Sequence, residues 1–269
     1  MMTQTFRELS NDQLIHYAPS VGADTPHPEV SERYSFIPTI QVVDLLRDSG
    51  WVPVFAREAR ANLPARRGFQ QHEIRFSRND LVLSNQERVD LVLHNSHDRG
   101  TAFKLAASVW RMICGNGLMV ANEFLTFKHK HIGFDAEQFI DSARVISESA
   151  GTISDKVDEF KVIDLTPDER GIFATASLKL MYDDTDEAPI QPAQLLQERR
   201  YDDKGNNLWN TFNVVQENMI KGGLRGGKKD KNGRWKRTTT RQVKSIDKDK
   251  RLNEALWHLT EAMADLKAA

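Results

Sequence analysis

The sequence predicts an α+β protein, with a helix, an antiparallel meander of three to four strands and a long packed helix as its core, followed by a more helical C-terminal half. Three observations lead there. Apolar residues recur at helical spacing over residues 38–50 and again over 101–114. Between those stretches lie short segments in which apolar and polar residues alternate, the period of a half-buried strand. The second half carries several stretches with apolar residues three and four positions apart. Size and composition suit such a fold: 269 residues, 39% hydrophobic and 28% charged, are enough to bury a core in water.

Taken in order, residues 1–33 read as an extended N-terminal arm, because Pro19, Gly22, Pro26 and Pro28 interrupt any periodicity. A single α+β domain is expected over 34–267. Its first helix starts at Pro38, which suits a first helical turn, carries Ile40, Val43 and Leu46, and stops at Gly50. Trp51–Arg57 is rich in strand formers, and Pro53 assigns it to a sheet edge. In Phe69–Ser77, His72, Ile74 and Phe76 alternate with Glu73 and Arg75, and Val89, Leu91 and Leu93 alternate in the third strand. The link Ala59–Gly68 holds Arg60, Arg66 and Arg67 and reads as a basic hairpin loop. Thr101–Cys114 is expected to be the long helix. Phe103, Ala106, Ala107, Trp110 and Cys114 form its apolar face, Lys104, Ser108 and Arg111 its polar stripe, and Gly115-Asn116-Gly117 its stop.

In the second half, Asp135–Ser149 and Asn207–Ile220 have helical spacing, as does a last segment with Leu252, Leu256, Leu259, Met263 and Leu266. Pro167–Tyr182 opens like a helix, although Ile172–Met181 also fits a strand. Asp183–Pro192 is an acidic loop.

Charge is the most informative property. The net formal charge is −1, but Lys221–Arg251 holds thirteen Lys or Arg and three Asp, about +10, which leaves about −11 for the other 238 residues. Four glycines at 222, 223, 226 and 227 exclude a stable helix there and allow close backbone approach to a ligand. Arg225, Lys228, Lys229, Lys231, Arg234, Lys236, Arg237 and Arg241 are candidate phosphate contacts, and Trp235 among them is placed to stack on a base. The same composition also suits a solvated loop or an acidic protein partner.

Other candidate chemistry is weaker. His94, His97 and Asp98 could ligate a metal, but no further His/Cys pair at finger spacing accompanies them, and Ser96 or Asp98 fits a cap on the following helix equally well. Cys114 is the only cysteine; it excludes an intrachain disulfide and reads as a buried thiol rather than a nucleophile. Asp202, Asp203 and Glu217 could serve a metal-dependent nuclease, but no companion Lys or His fixes a site. No phosphate-binding G-x-x-x-x-G-K-[ST] loop exists, so an ATP-driven motor of that type is not expected. No cofactor is expected, and neither a secretory leader nor a bilayer-length apolar run is present, so a cytoplasmic protein without a membrane partner is expected.

YSFIPTIQVVDLLRDSGW, GFQQHEIRF, LHNSHDRGTAFKLAASVWRMICGNGL, LWNTFNVVQENMIKGG and LNEALWHLTEAM together resemble a phage- and plasmid-associated family classed as a domain of unknown function, the 932 type, from about Tyr34 to Leu259. A more distant similarity, in element order, is to the single-strand annealing recombination-mediator superfamily. That likeness implies a groove of sheet and helix in which basic residues hold single-stranded DNA, with no nucleotide or metal chemistry. By position it implies Arg57, Arg60, Arg66 and Arg67 in or beside the hairpin and Lys104 and Arg111 on the long helix. The expectation is thus a non-enzymatic single-stranded DNA-binding and annealing protein, assembled as a homo-oligomer or ring. The alternatives are a protein that engages a host defence or replication factor without binding nucleic acid, and a nuclease.

Overall fold

The structure is a computed structural model that describes residues 7–31, 34–84, 87–111, 116–119, 126–129, 135–182, 188–229 and 232–268. It is α+β with a helical C-terminal portion, and it divides into two compact units, Met1–Gly151 and Thr152–Ala269. A single domain was expected over 34–267; the division falls at the start of a helix, just after Gly151.

The first unit is a sheet with helices on one face. Helix α2 (Thr39–Asp48) follows Pro38 and ends before Gly50, whose φ of 83° is the left-handed conformation that glycine tolerates at a helix C-terminus. Strands β1 (Val52–Glu58), β2 (His72–Ser84), β3 (Glu87–Asn95), β4 (Phe103–Arg111) and β5 (Asn116–Met119) are hydrogen-bonded in that order, all antiparallel, and β6 (Thr126–His129) also pairs with β4. β1 is an edge strand, as Pro53 requires, and the link carrying Arg60, Arg66 and Arg67 joins β1 to β2 as a hairpin connection. The register sorts side chains into two faces. Ile74, Phe76, Leu91, Leu93, Leu105 and Val109 share one face and are buried in the core with Val43 and Leu46 of α2 and Phe139 of α3 (Ala136–Glu148). The Phe103 and Phe139 rings lie 5.4 Å apart. Arg57, Glu73, Arg75, Asp90, His94, Lys104 and Trp110 share the other face.

Two expectations are corrected here. Thr101–Cys114 is not a helix: residues 103–111 form β4, and 112–115, with Cys114, lie outside the described residues. Leu105 and Ala106 point to opposite faces yet both are fully buried. A segment buried on both sides loses the period-two signature, and Phe103, Ala106, Ala107 and Trp110 then imitate a helical stripe. Nor are residues 1–33 simply an extended arm. Ser10 and Gln13 form a capping box that starts α1 (Asn11–Tyr17), a short 3₁₀ turn at Pro19–Gly22 follows, and Leu14, Ala18 and Val21 are buried.

The second unit is built from α4 (Ala150–Val162), α5 (Pro167–Met181), α6 (Leu208–Lys221) and α7 (Ile246–Ala268). The ambiguity at 172–181 resolves to helix, for Thr166 and Glu169 close a capping box ahead of Pro167. The core is aromatic: Trp209 stacks on Phe212 at 5.4 Å, and Trp257 meets the edges of Phe160 and Phe212. Between α6 and α7 the chain makes a β-hairpin, β7 (Arg225–Lys229) and β8 (Trp235–Thr239). The basic segment 221–251 is therefore a loop only in part, since Lys221 ends α6 and residues 246–251 already belong to α7. Among the described residues, no helix is long and apolar enough to cross a membrane.

Candidate nucleic-acid interface

The hairpin is fixed at its base and open along its length. Thr240 donates its backbone N–H to Leu224 O (2.9 Å), Gly223 N–H donates to Thr240 O (2.9 Å), and Arg199 donates to the Gly222 carbonyl. Gly227 N–H donates to Pro189 O at 2.8 Å. Gly226 passes so close to the same carbonyl that an added Cβ would lie 1.8 Å from its oxygen, so only glycine fits this crossing. On β8, Trp235, Lys236, Arg237 and Thr239 are all exposed.

Cross-strand pairs sort the hairpin by face. Arg225 opposite Thr239 and Gly227 opposite Arg237 share one face with Trp235, whose register partner is Lys229; the side chain of Lys229 lies outside the described residues. The Trp235 ring lies across Gly227, where a Cβ would come within 2.5 Å of the indole, and it stays 69% exposed. Lys228 opposite Lys236, with Gly226 opposite Thr238, make the other face. Two lysines directly across a strand pair repel each other. Among the described residues, Arg225, Lys228, Lys236, Arg237 and Arg241 enter no ion pair and all are exposed. Arg234 is exposed at the turn, and Lys231 lies outside the described residues.

The candidates of the first unit are arranged differently. Arg57 forms a two-pronged ion pair with Glu73 (3.0 and 2.8 Å). Arg66 reaches Asp98 at 3.6 Å, while Arg60 and Arg67 are exposed in the β1–β2 link. Lys104 and Arg111 were expected on one helical stripe. In β4 they sit near opposite ends, about 23 Å apart at the rise of an extended strand, and the side chain of Arg111 lies outside the described residues. The structure therefore does not bring them together.

Sequence reasoning missed a cluster on the face of Lys104. Asp90, fully buried, accepts from Arg88 Nε (2.7 Å) and from the Ser77 hydroxyl (2.7 Å), and lies 3.1 Å from Arg75 Nε. The Arg75 guanidinium sits 3.3 Å from the centre of the Trp110 ring. Burial lowers the Arg75 pKa to about 10, against the pull of Asp90. The available signal was the Arg88-x-Asp90 spacing, which in a strand puts both side chains on one face.

Among the described residues, the candidates for metal binding and for a nuclease are not brought together into one site. His94 faces Glu73 (3.8 Å), whereas His97 packs against Phe36 and His72 and lies 3.3 Å from the Thr39 hydroxyl. Asp98 accepts from Gly100 N–H and Ser96 from Thr101 N–H; the expected helix cap is corrected, because the segment that follows is strand β4 and these bonds close the β3–β4 turn. Among the described residues, no group of three or more His, Cys, Asp or Glu could hold a metal. Glu217 accepts from Arg200 and from Lys221 (2.8 Å), and Asp203 is 3.5 Å from Arg200. Burial would raise the Glu217 carboxyl, but the Lys221 and Arg200 hydrogen bonds outweigh it and hold it below its ordinary value. The side chain of Asp202 lies outside the described residues.

The family model described as Domain of unknown function (DUF932) matches residues 26–257. The chain belongs to this family. Two UPF0380 proteins of Escherichia coli (strain K12), YafZ and YfjQ, are each 34% identical over 257 residues, covering 96% of this chain and 92% of theirs. No solved structure matches. Membership of DUF932 carries no activity with it, so function has to be argued from the hairpin.

Proposed function

We propose that this DUF932 chain is a cytoplasmic, non-enzymatic protein that binds single-stranded DNA through the β7–β8 hairpin and promotes annealing as a homo-oligomer. The observation that carries the reading is the outer face of the hairpin. An indole backed by glycine, open to solvent, stands beside Arg225 and Arg237, neither of them in an ion pair among the described residues. A single strand needs both parts: a planar apolar surface for an unstacked base and uncompensated cations for the phosphates on either side of it. Duplex DNA keeps its bases stacked inside and would leave the indole without a partner. Repetition of the hairpin around an oligomer would hold a flexible strand at many linked sites.

Binding of the purified chain to labelled single- and double-stranded DNA across a salt series, with mass photometry on the same samples, tests this. The expected result is a salt-sensitive preference for the single strand and discrete oligomers. Replacing Arg234, Lys236 and Arg237 together by Ala should weaken binding and flatten the salt slope. Absence of binding to either DNA at low salt would remove the proposal and leave recognition of a host protein as the reading to pursue.

A further inference from the structure

The sequence contains two Asn-Gly pairs, Asn116-Gly117 and Asn232-Gly233, and the fold sets them in opposite circumstances. Asn116 and Gly117 belong to β5 and pair with Arg111 and Trp110 of β4, so their backbone is held in an antiparallel ladder. Asn232 and Gly233 lie in the turn between β7 and β8, outside the paired register, and both are exposed. Gly233 has a φ of 74°, the left-handed conformation that glycine adopts without strain. A Cβ built on it would meet nothing within 4 Å among the described residues. The turn therefore puts a backbone nitrogen without steric cover directly after an exposed asparagine side chain. It does so in the most basic part of the chain: Lys228, Lys229, Lys231, Arg234 and Lys236 lie within four residues of Asn232, against one acid, Asp230.

Asparagine before glycine has an intrinsic reaction. The Gly233 backbone nitrogen, as its conjugate base, adds to Cγ of Asn232. The N–Cγ bond forms, the Cγ–Nδ2 bond breaks, and ammonia leaves, which gives a five-membered succinimide. Water then opens one of the two ring carbonyls and yields aspartate or isoaspartate. No oxidant or further reactant enters. Ring closure rotates the backbone of both residues, which a hydrogen-bonded ladder resists and a turn outside the ladder permits. Cations nearby favour the anionic form of the attacking nitrogen.

We propose that Asn232 is a site of spontaneous conversion to aspartate and isoaspartate, which lowers the charge of the β7–β8 hairpin and its hold on a polyanionic strand. Either product is ionised at neutral pH, so each conversion places one negative charge at the tip of the hairpin. Isoaspartate also lengthens the main chain of the turn by one CH₂, between Lys229 and Trp235, the pair that closes the register. Gly233 couples the turn to the reaction. A side chain there would hinder ring closure, but it would have to adopt the left-handed φ. The conversion itself does not depend on the DNA-binding reading; its effect on strand affinity rests on that reading.

The test ages the full chain in mildly alkaline buffer and follows it by peptide mass mapping and by enzymatic methylation specific for isoaspartate. The expected result is that residue 232 gains the mass of an amide-to-acid change and accepts methyl groups, while Asn116 in the same sample keeps its amide. Asn232→Gln, whose longer side chain would have to close a six-membered ring, should stay unmodified. The aged native chain and fresh Asn232→Asp should bind oligothymidylate less tightly than the fresh native chain, with a salt slope shallower by about one. Aged Asn232→Gln should keep the affinity of its fresh sample. An Asn232 that converts no faster than Asn116 would overturn the site. Conversion that leaves the affinity of a strand-binding chain unchanged would overturn its effect on the hairpin. Conversion in a chain that binds no strand even when fresh would support the modification site and remove the hairpin reading instead.

Discussion

The sheet and the hairpin each hold arginine beside tryptophan, and they differ in what surrounds the charge. On the sheet, Arg75 lies on Trp110 and both Arg75 and Arg88 share Asp90, whose Oδ1 also accepts from the Ser77 hydroxyl. On the hairpin, Trp235 and Arg237 lie in the open, and Lys228 faces Lys236 rather than an acid. The same residue types serve stability in one place and are free to meet a ligand in the other. Counting cations does not separate the two cases; the presence or absence of a buried counter-charge does.

The strongest way to break this contrast is to remove the counter-charge. Asp90→Ala leaves Arg75 and Arg88 without their carboxylate in a site where Asp90 itself is fully buried. Loss of one partner from a buried pair costs about 3–5 kcal/mol. Urea unfolding should show a loss of that order; a change within error would mean that the Asp90 cluster does not support the sheet.

A second effect comes from the apolar face of the same sheet. His72 is buried between the Ser20 hydroxyl (3.0 Å from Nδ1) and the Thr39 hydroxyl (2.8 Å from Nε2). Burial, chiefly, and the neighbouring His97 lower its pKa to about 3. The unfolded chain, with an ordinary histidine, takes up a proton that the folded chain refuses. The contribution of His72 is therefore complete above pH 6.5 and declines as pH falls toward 3, by at most about 1.4 kcal/mol per pH unit. Stability measured from pH 7.5 to pH 4 should fall more steeply in the native chain than in His72→Gln. Parallel curves would show that the ring titrates normally.

How much of this was legible depends on whether the signal was local. Helix α2 was readable because its stripe, Pro38 and Gly50 all lie within one short segment. The edge position of β1 followed from Pro53. α6 was readable from Asn207 onward, whereas for α5 the Pro167 opening left 172–181 open between helix and strand until the Thr166–Glu169 capping box decided it. β4 failed because Leu105 and Ala106 are both buried, and only pairing with β3 distinguishes such a strand from a helix. The capping box at Ser10 and Gln13 was visible in the sequence, but α1 is seven residues long and buries only Leu14, too little for a periodicity reading. The charge asymmetry of 221–251 was fully legible. That Arg57, Arg75 and Arg88 have an acidic partner while Lys228 and Arg237 have none among the described residues was invisible, because it depends on strand register.

The hairpin supplies the converse of the Asp90 substitution. Trp235→Ala should leave stability within about 0.5 kcal/mol of the native chain, as for other exposed side chains. It should weaken single-strand binding by about 1–3 kcal/mol, the usual worth of a base stacked on an aromatic ring. A stability loss as large as the binding loss would assign the indole to the fold of the hairpin instead.

The smallest effect separates the two roles most cleanly, because its sign differs between them. Lys236→Glu replaces a repulsive cross-strand pair with an attractive one opposite Lys228. Opposite charges in that position stabilise a strand pair by roughly 0.2–1 kcal/mol. The same substitution removes one cation from the hairpin and adds an anion, so strand affinity should fall and its salt slope should become shallower. Thermal unfolding and strand binding measured on the same preparation then move in opposite directions. A variant that gains stability and keeps full affinity would show that Lys236 is a tolerated repulsion with no part in binding. Gain of stability together with loss of binding is the result expected where a like-charge pair is kept apart from any protein acid because its counter-ion is a ligand.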